Sequence, residues 1–515
     1  MKPITACLCI LGTAATCAAD YRSVCGWTDL VERLGEDNVP RGDGVIIAMV
    51  ESGSDGNYAL DECSPWACDP EFDGQLITLR SGASGKSSHA HSVGIRLCGH
   101  DSGMAPEILQ VQCYEVNGFI GNDCLKTGNS SSQPEVSGAV RVWNHSWAGD
   151  AGSDSYNTEI CRRIDWMVDS HATKPVVCVG LNNGSEQMPL LANCFNVIAV
   201  GCRNSDHSHG AVPAGQDGAG RQRPDLCGPE VTTSYSTSPV SAAAAMLIGE
   251  VRGDDDLPDD GEQPSVIKAI LMASANHVGP GDDNDRIWSN GAPETGTNRG
   301  ITAGPLDAIV GAGHLDVNRA HVILTAGMQT AGAAAAAGWS RETLAPGSEA
   351  EWSFNALGST DMFVASAAWN REVSSTFNSW SLADLNLELL RVLEGEPQPL
   401  TGDAGIEVFT SGNVRSESQI DPVEHLYVTG LAAGHYVLRL ERADASGSDV
   451  DVAVAWYTTG EVVDADLDEN GVVGIEDLLS LLTSWSACTD CAADLNQDGV
   501  LDLTDLLLLI ARWGA

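Results

Sequence analysis

The sequence predicts an α/β fold built on a parallel sheet, followed by an antiparallel β-sandwich and a small α-helical module. Three observations predict it. Over residues 20–330, continuous apolar runs (Val45–Val50, Val176–Val179, Val197–Val200) alternate with helical patterns (Asp154–Ser170, Ser265–Ala275). Runs that are apolar at every position suit strands buried on both faces, and their alternation with helices makes the sheet parallel. Over 340–460 the period changes to two, in Glu351–Phe354, Tyr436–Leu440 and Val450–Val454, with Gly, Asp and Ser between them. That alternation describes half-buried strands of a sandwich. Over 464–515 a polar loop followed by an apolar helix occurs twice, starting at Asp466 and at Asp494.

A chain of 515 residues is too long for one core, and 43% hydrophobic content suffices for two to four domains. The 27 basic residues against 71 acidic ones give a formal charge of −44. Phosphate binding needs clustered Lys and Arg, so a nucleic-acid partner is excluded and the acid is read mainly as solvated surface.

The chain begins MKPITACLCILGTAATCAAD. Lys2, an apolar run and small residues at Ala18-Ala19 form a short export leader over 1–19, which predicts a secreted or extracytoplasmic protein. No later run is long and apolar enough for a transmembrane helix. Of 16 cysteines, Cys7, Cys9 and Cys17 fall in the leader, leaving an odd thirteen. Export permits disulfides, for instance Cys63 with Cys68. SDHSHG, Ser205–Gly210, reads as a solvated turn.

TTSYSTSPVSAAAAML, Thr232–Leu247, runs from hydroxyl residues through Pro239 into good helix formers. Pro suits the first turn of a helix, so Ser238 is the expected cap, and an earlier serine is free to be a nucleophile. Asp256–Pro264 reads as an acidic surface loop. The Ala/Gly tract 331–338 reads as the join to the sandwich, whose Trp and Tyr residues are expected in its core, a carbohydrate-binding face being the lesser alternative. No paired-carboxylate site for glycoside hydrolysis stands out.

In the C-terminal repeats, oxygen-bearing side chains recur at loop positions one, three, five and twelve, with Gly at six. The first loop has Asp466, Asp468, Asn470 and Asp477, with Val472 supplying a carbonyl at position seven. The second has Asp494, Asn496, Asp498 and Asp505, with Val500 in the same place. Calcium takes six to eight oxygens, and this spacing wraps a loop around one ion. The tandem unit resembles a dockerin module. The resemblance implies bound Ca2+ and a cohesin-like partner.

Seven segments complete the first domain's pattern: SSHAHSVGIRLCG from Ser87, GMAPEILQVQCY from Gly103, NHSWAG from Asn144, VVCVGLNNG from Val176, NVIAVG from Asn196, the serine stretch, and GAGHLDVNRA from Gly311. In this order they resemble the subtilisin-like serine proteases over residues 40–325. The resemblance implies His89 as the catalytic histidine, with His91 on the family's Thr position, and Asn182 as the oxyanion-hole amide. The family's acid is Asp. This chain has Glu51, as the related sedolisins do, although Asn182 follows the subtilisin pattern. The family's Gly-Thr-Ser becomes Thr232-Thr233-Ser234, with one extra residue before Pro239. Ser234 is therefore the implied nucleophile and Ser236 the fallback. These residues imply a serine endopeptidase acting on protein or peptide substrates through an acyl-enzyme. The alternatives are an inactive fold of this type that binds, or a scaffold or adhesion protein in which the sandwich and calcium repeats do the work.

Overall fold

The computed structural model describes residues 5–6, 21–52, 56–60, 69–278, 287–356, 362–406, 409–432, 434–459, 465, 467–468, 473–485, 492–495 and 501–511. Seven parallel strands form the central sheet. They are β1 (Ile46–Glu51), β2 (Ile77–Leu79), β3 (Gln110–Glu115), β4 (Val140–His145), β5 (Val176–Gly180), β6 (Ile198–Cys202) and β7 (Leu226–Gly228). Their order is β7-β6-β5-β4-β1-β3-β2, so β1 is an interior strand flanked by β4 and β3.

Alternation along a strand divides its side chains between the two faces. Ile47 and Met49 of β1 enter one core, Ala48 and Val50 the other. The helices are α1 (Trp27–Leu34), α2 (Ser88–Cys98), α3 (Asp154–Ser170), α4 (Thr233–Gly253), α5 (Pro264–Ala273) and α6 (Val317–Thr325). Ile160, Ile164 and Met167, at helical spacing, seat α3 on the second face. The other helices cover the first face. Helix α4 runs under β7 and β5 at close range. A Cβ on Gly228 would lie 2.4 Å from the Ser236 carbonyl oxygen, and one on Gly180 would lie 2.9 Å from Thr237 Oγ1. Glycine at both places lets the helix approach.

The sandwich strands are β8 (Gly338–Leu344), β9 (Glu349–Ala356), β10 (Met362–Trp369), β11 (Leu385–Leu393), β12 (Val423–Thr429), β13 (Gly434–Arg442) and β14 (Val450–Thr459). One sheet contains β11-β13-β9 and the other β8-β14-β10-β12, all paired antiparallel. Trp352, Phe363, Leu389, Leu426, Leu438 and Trp456 fill the space between them.

The join is not the simple tract the composition suggests. Gly332–Ala333 pairs in parallel with β9, and Ile301–Thr302 of the first domain pairs in parallel with Arg415–Ser416. Trp339, Ala368, Val423, Ala453 and Ala455 belong to the same apolar core as α5 and the central sheet. Fully buried Arg371 adds charge to this contact: Nε is 2.5 Å from Asp165 on α3 and Nη1 is 2.8 Å from Asp217. Sandwich and α/β layer are thus packed as one body by both apolar and ionic contacts.

The acidic loop 256–264 is also anchored. Glu262 receives Arg252 Nε at 2.8 Å and lies 3.3 Å from Arg141 Nε. Cys98, Cys113, Cys124, Cys161, Cys178, Cys194 and Cys202 are buried free thiols, so the expected disulfides are not found there. Burial pushes the Cys113 and Cys178 thiols up to about 12, which keeps them protonated and unreactive. Cys63 and Cys68 lie outside the described residues. Among the described residues no helix is long and apolar enough to cross a membrane.

Helices α7 (Ile475–Thr483) and α8 (Leu503–Ala511) carry the C-terminal repeats. Val473, Leu481, Leu501, Leu508 and Leu509 pack the two units against each other.

Candidate functional site

Ligand and catalytic groups of open parallel sheets gather where the strands end at their carboxyl edge. Glu51 is the last residue of β1, and its side chain is only 2% exposed. His89 lies in the first turn of α2, whose cap is Ser87, its Oγ accepting from Ala90 N at 3.3 Å. Glu51 Oε2 lies 2.7 Å from His89 Nδ1. Burial disfavours the His89 cation, but the charge and hydrogen bond of Glu51 outweigh it, and the imidazole pKa is raised above its ordinary value. With Nδ1 committed to the carboxylate, Nε2 is the nitrogen left for proton transfer. His91 is committed elsewhere: Nδ1 is 2.9 Å from the Leu60 carbonyl and Nε2 is 2.9 Å from Asp69. Among the described residues Glu51 Oε1 has no hydrogen-bond partner.

The serine stretch folds differently from its local pattern. Helix α4 begins at Thr233, so Ser238 and Pro239 lie inside it and Ser238 is not a cap. The cap comes from another chain segment. Asn183 Oδ1 accepts from Thr233 N at 3.0 Å and from Thr233 Oγ1 at 3.2 Å. Hydroxyls further along bond the carbonyl four residues back: Thr237 to Thr233, Ser238 to Ser234 and Ser241 to Thr237. That is how a hydroxyl-rich stretch satisfies itself within a helix.

Ser234 is half-buried in the first turn of α4, where backbone N–H groups lack partners four residues back. Its Oγ donates to the Ser146 carbonyl at 3.2 Å, and among the described residues it is not hydrogen-bonded to His89. The next residue, Tyr235, places its ring near-parallel to the imidazole, with centroids 6.2 Å apart. Ser236 is fully buried, its Oγ donating to the Glu230 carbonyl at 2.9 Å and accepting from Glu230 N at 3.1 Å. It is thus committed to the turn before the helix, and the fallback nucleophile faces away from solvent.

Asn182 follows β5 and is half-buried, its Nδ2 donating to the Glu186 carbonyl at 2.9 Å. It lines a small cavity with Ala148, Gly180, Leu181 and Met188 whose free volume is about 10 Å³, space for one water. The structure therefore brings Glu51 to His89, sets Ser234 on the adjoining helix start, and leaves the Asn182 amide on its own loop. Asn183 and Tyr235 are the site residues the sequence reading missed. The Asn-Asn pair was the available signal for the first. For the second only the insertion before Pro239 hinted at a special role.

His207 overturns the reading of SDHSHG as a solvated turn. It is buried, Nε2 bonds the Ile309 carbonyl at 2.9 Å and Nδ1 accepts from Cys202 N at 3.2 Å. Burial pushes its pKa down to about 4. Long-range packing against residue 309 draws in a ring that local composition places outside.

In the C-terminal repeats, Asp466, Asn470, Val472, Asn496, Asp498 and Val500 lie outside the described residues. Asp468, Asp477, Asp494 and Asp505 are described. Asp477 Oδ1 accepts from Asp468 N at 3.1 Å and Oδ2 from Gly474 N at 2.7 Å. Asp505 accepts from Leu495 N and Asp502 N, both at 2.8 Å. Each position-twelve carboxylate is thus buried and folded back over its own loop.

No family model matches the chain, and no curated protein matches it. Among solved structures it is similar to the prenylagaramide maturation protease PagA, at 19% identity over 58% of this chain and 99% of that one, with a TM-score of 0.37. The site stands on its own geometry.

Proposed function

We propose that this chain is an exported serine endopeptidase that cleaves peptide bonds through an acyl-enzyme. Ser234 Oγ attacks the scissile carbonyl carbon while its proton passes to His89 Nε2. Glu51 holds Nδ1 and stabilises the imidazolium that forms. The developing oxyanion takes hydrogen bonds from the Asn182 amide and from the Ser234 backbone N–H at the start of α4. His89 then protonates the leaving amine, and water repeats the sequence to release the acid. The single observation that carries this reading is the 2.7 Å Glu51–His89 contact beside the helix start that bears Ser234. The mechanism requires Ser234 Oγ to rotate from the Ser146 carbonyl toward His89, and Asn182 to release Glu186. Treating the full chain with a fluorophosphonate probe and mapping the adduct tests it. Modification of Ser234, lost in His89→Ala, is expected. Modification elsewhere, or none on folded protein, sinks it.

A second reading, a peptidase-like fold that binds without cleaving, is favoured by one observation: Ser234 Oγ is engaged by the Ser146 carbonyl and, among the described residues, not by His89. Absence of labelling would select it, and with it the scaffold or adhesion role.

For the C-terminal module the reading is a calcium-loaded anchor of dockerin type. Asp466, Asp468, Asn470, Val472 and Asp477 would hold one ion, and Asp494, Asn496, Asp498, Val500 and Asp505 the other. Bound calcium would cross-link each loop's oxygens and fix the loop on its helix. A protein partner, cohesin-like in kind, is supported by exposed apolar side chains at matched places on the two helices: Ile475, Leu479 and Leu482 on α7, Leu503, Leu507 and Ile510 on α8.

A further inference from the structure

We infer that Tyr235 is a positioning residue, a ring held by Arg96, itself tied to Glu230, that braces the His89 imidazole on Glu51. The inference rests on the peptidase reading for its purpose, and on geometry alone for its substance.

His89 and Arg96 stand seven residues apart on α2, two turns along the same face. Tyr235 lies across both. Its ring lies near-parallel and offset beside the imidazole, at an interplanar angle of 23° with centroids 6.2 Å apart, and the Arg96 guanidinium carbon sits 4.0 Å from the ring centroid. A guanidinium over an aromatic face is attracted to it. Arg96 is itself tied on two sides, Nε to Glu230 Oε1 at 2.5 Å and Nη1 to the Ser92 carbonyl at 2.9 Å. Glu230 is held through its backbone by Ser236 Oγ. The chain from Ser236 through Glu230 and Arg96 to Tyr235 therefore closes on the residue beside the nucleophile.

A histidine that acts as base must keep one ring nitrogen on its orienting acid while the other exchanges a proton. Its side-chain torsions permit it to swing away toward water. Glu51 restrains one edge of the ring, and Tyr235 stands beside it on another side. The hydroxyl of Tyr235 plays no part, so phenylalanine should replace it and alanine should not.

The test is proton NMR of the full chain, following the Nδ1–H resonance of His89 that is hydrogen-bonded to Glu51 and identified by its loss in Glu51→Gln. Wild type and Tyr235→Phe should show it far downfield and slow to exchange with water. Tyr235→Ala and Arg96→Met should lose it to exchange, with circular dichroism unchanged. The same two variants should slow fluorophosphonate modification of Ser234 by about 10- to 100-fold, the scale of a misplaced catalytic group. A resonance that persists in Tyr235→Ala with the wild-type exchange rate overturns the brace. So does a wild-type protein that never shows it. If Tyr235→Ala fails to fold, Arg96→Met decides, since it keeps the ring and removes only the clamp. Wild-type protein that shows the protected resonance but is never labelled refutes the peptidase reading and leaves the brace standing.

Discussion

Glu51 Oε2 and His89 Nδ1 are 2.7 Å apart, and the carboxylate that makes the contact is almost wholly buried at the end of β1. A charge held so deep is oriented by its surroundings and can orient a neighbour in turn. Glu51→Gln keeps the shape and removes the charge, but presents an amide where a carboxylate accepted the Nδ1 proton. The rate of Ser234 modification should fall by about 10²–10⁴-fold while the far-ultraviolet circular dichroism stays unchanged. A near-normal rate would assign the role to another carboxylate.

The pH dependence follows from the same pair. His89 must be neutral to accept a proton, so activity should rise with pH through a midpoint above the ordinary histidine value of about 6.5. The folded pKa is the higher one, so the pair's contribution to stability is complete below the unfolded pKa and is lost as pH rises through the folded one. Titration of His89 by NMR in wild type and Glu51→Gln should show the midpoint falling in the variant, because burial then acts unopposed.

Asn182 and Asn183 should separate cleanly. Asn183→Ala removes the cap of α4 and should lower stability by about 1 kcal/mol in urea unfolding. Asn182→Ala should leave stability within about 0.5 kcal/mol, as expected for a partly exposed loop residue. Its effect should fall on turnover of a peptide substrate, about 10²–10³-fold in kcat. Equal effects of both on stability, with none on rate, would remove Asn182 from the oxyanion hole.

Arg371 ties the sandwich to α3 through Asp165 and Asp217 with its guanidinium fully buried. Arg371→Met leaves Asp165 charged and buried, which costs about 3–5 kcal/mol. Chemical unfolding should show that loss as one transition for sandwich and α/β layer together. Two separated transitions in the wild-type protein would contradict the shared core.

Calorimetric titration of the chelated full-length protein with Ca2+ should reveal two sites. Asp477→Ala and Asp505→Ala should each abolish one and leave the other. A wild-type protein that takes up no calcium at millimolar concentration would dismiss the ion-binding reading.

The physical basis of what was legible in the chain is local. Strands β1, β5 and β6 appear in the sequence because a strand buried on both faces must be apolar at every position, and Val45–Val50, Val176–Val179 and Val197–Val200 are. Helix α3 spans the predicted Asp154–Ser170 because Ser153 caps it and its apolar spacing closes on one face. Glu51, His89 and Ser234 were named from ordered segments, each carried by a short run of residues. What depended on distant chain was out of reach. The start of α4 moved to Thr233 because its cap, Asn183, comes from the loop after β5. His207 is inside because residue 309 returns to meet it. The sandwich shares a core with α5, although the composition between them reads as a joint.

By itself, then, the sequence determined the layers and the repeats, since periodicity and spacing are properties of neighbouring residues, while Glu51, His89 and Ser234 came from the resemblance of its ordered segments to a known family. Only the tertiary structure decided which oxygen Ser234 faces, which asparagine caps its helix and which ring stands beside His89. Those are set by segments fifty to nearly 150 residues apart (Asn183 and Thr233, His89 and Tyr235) meeting at the carboxyl edge of one sheet.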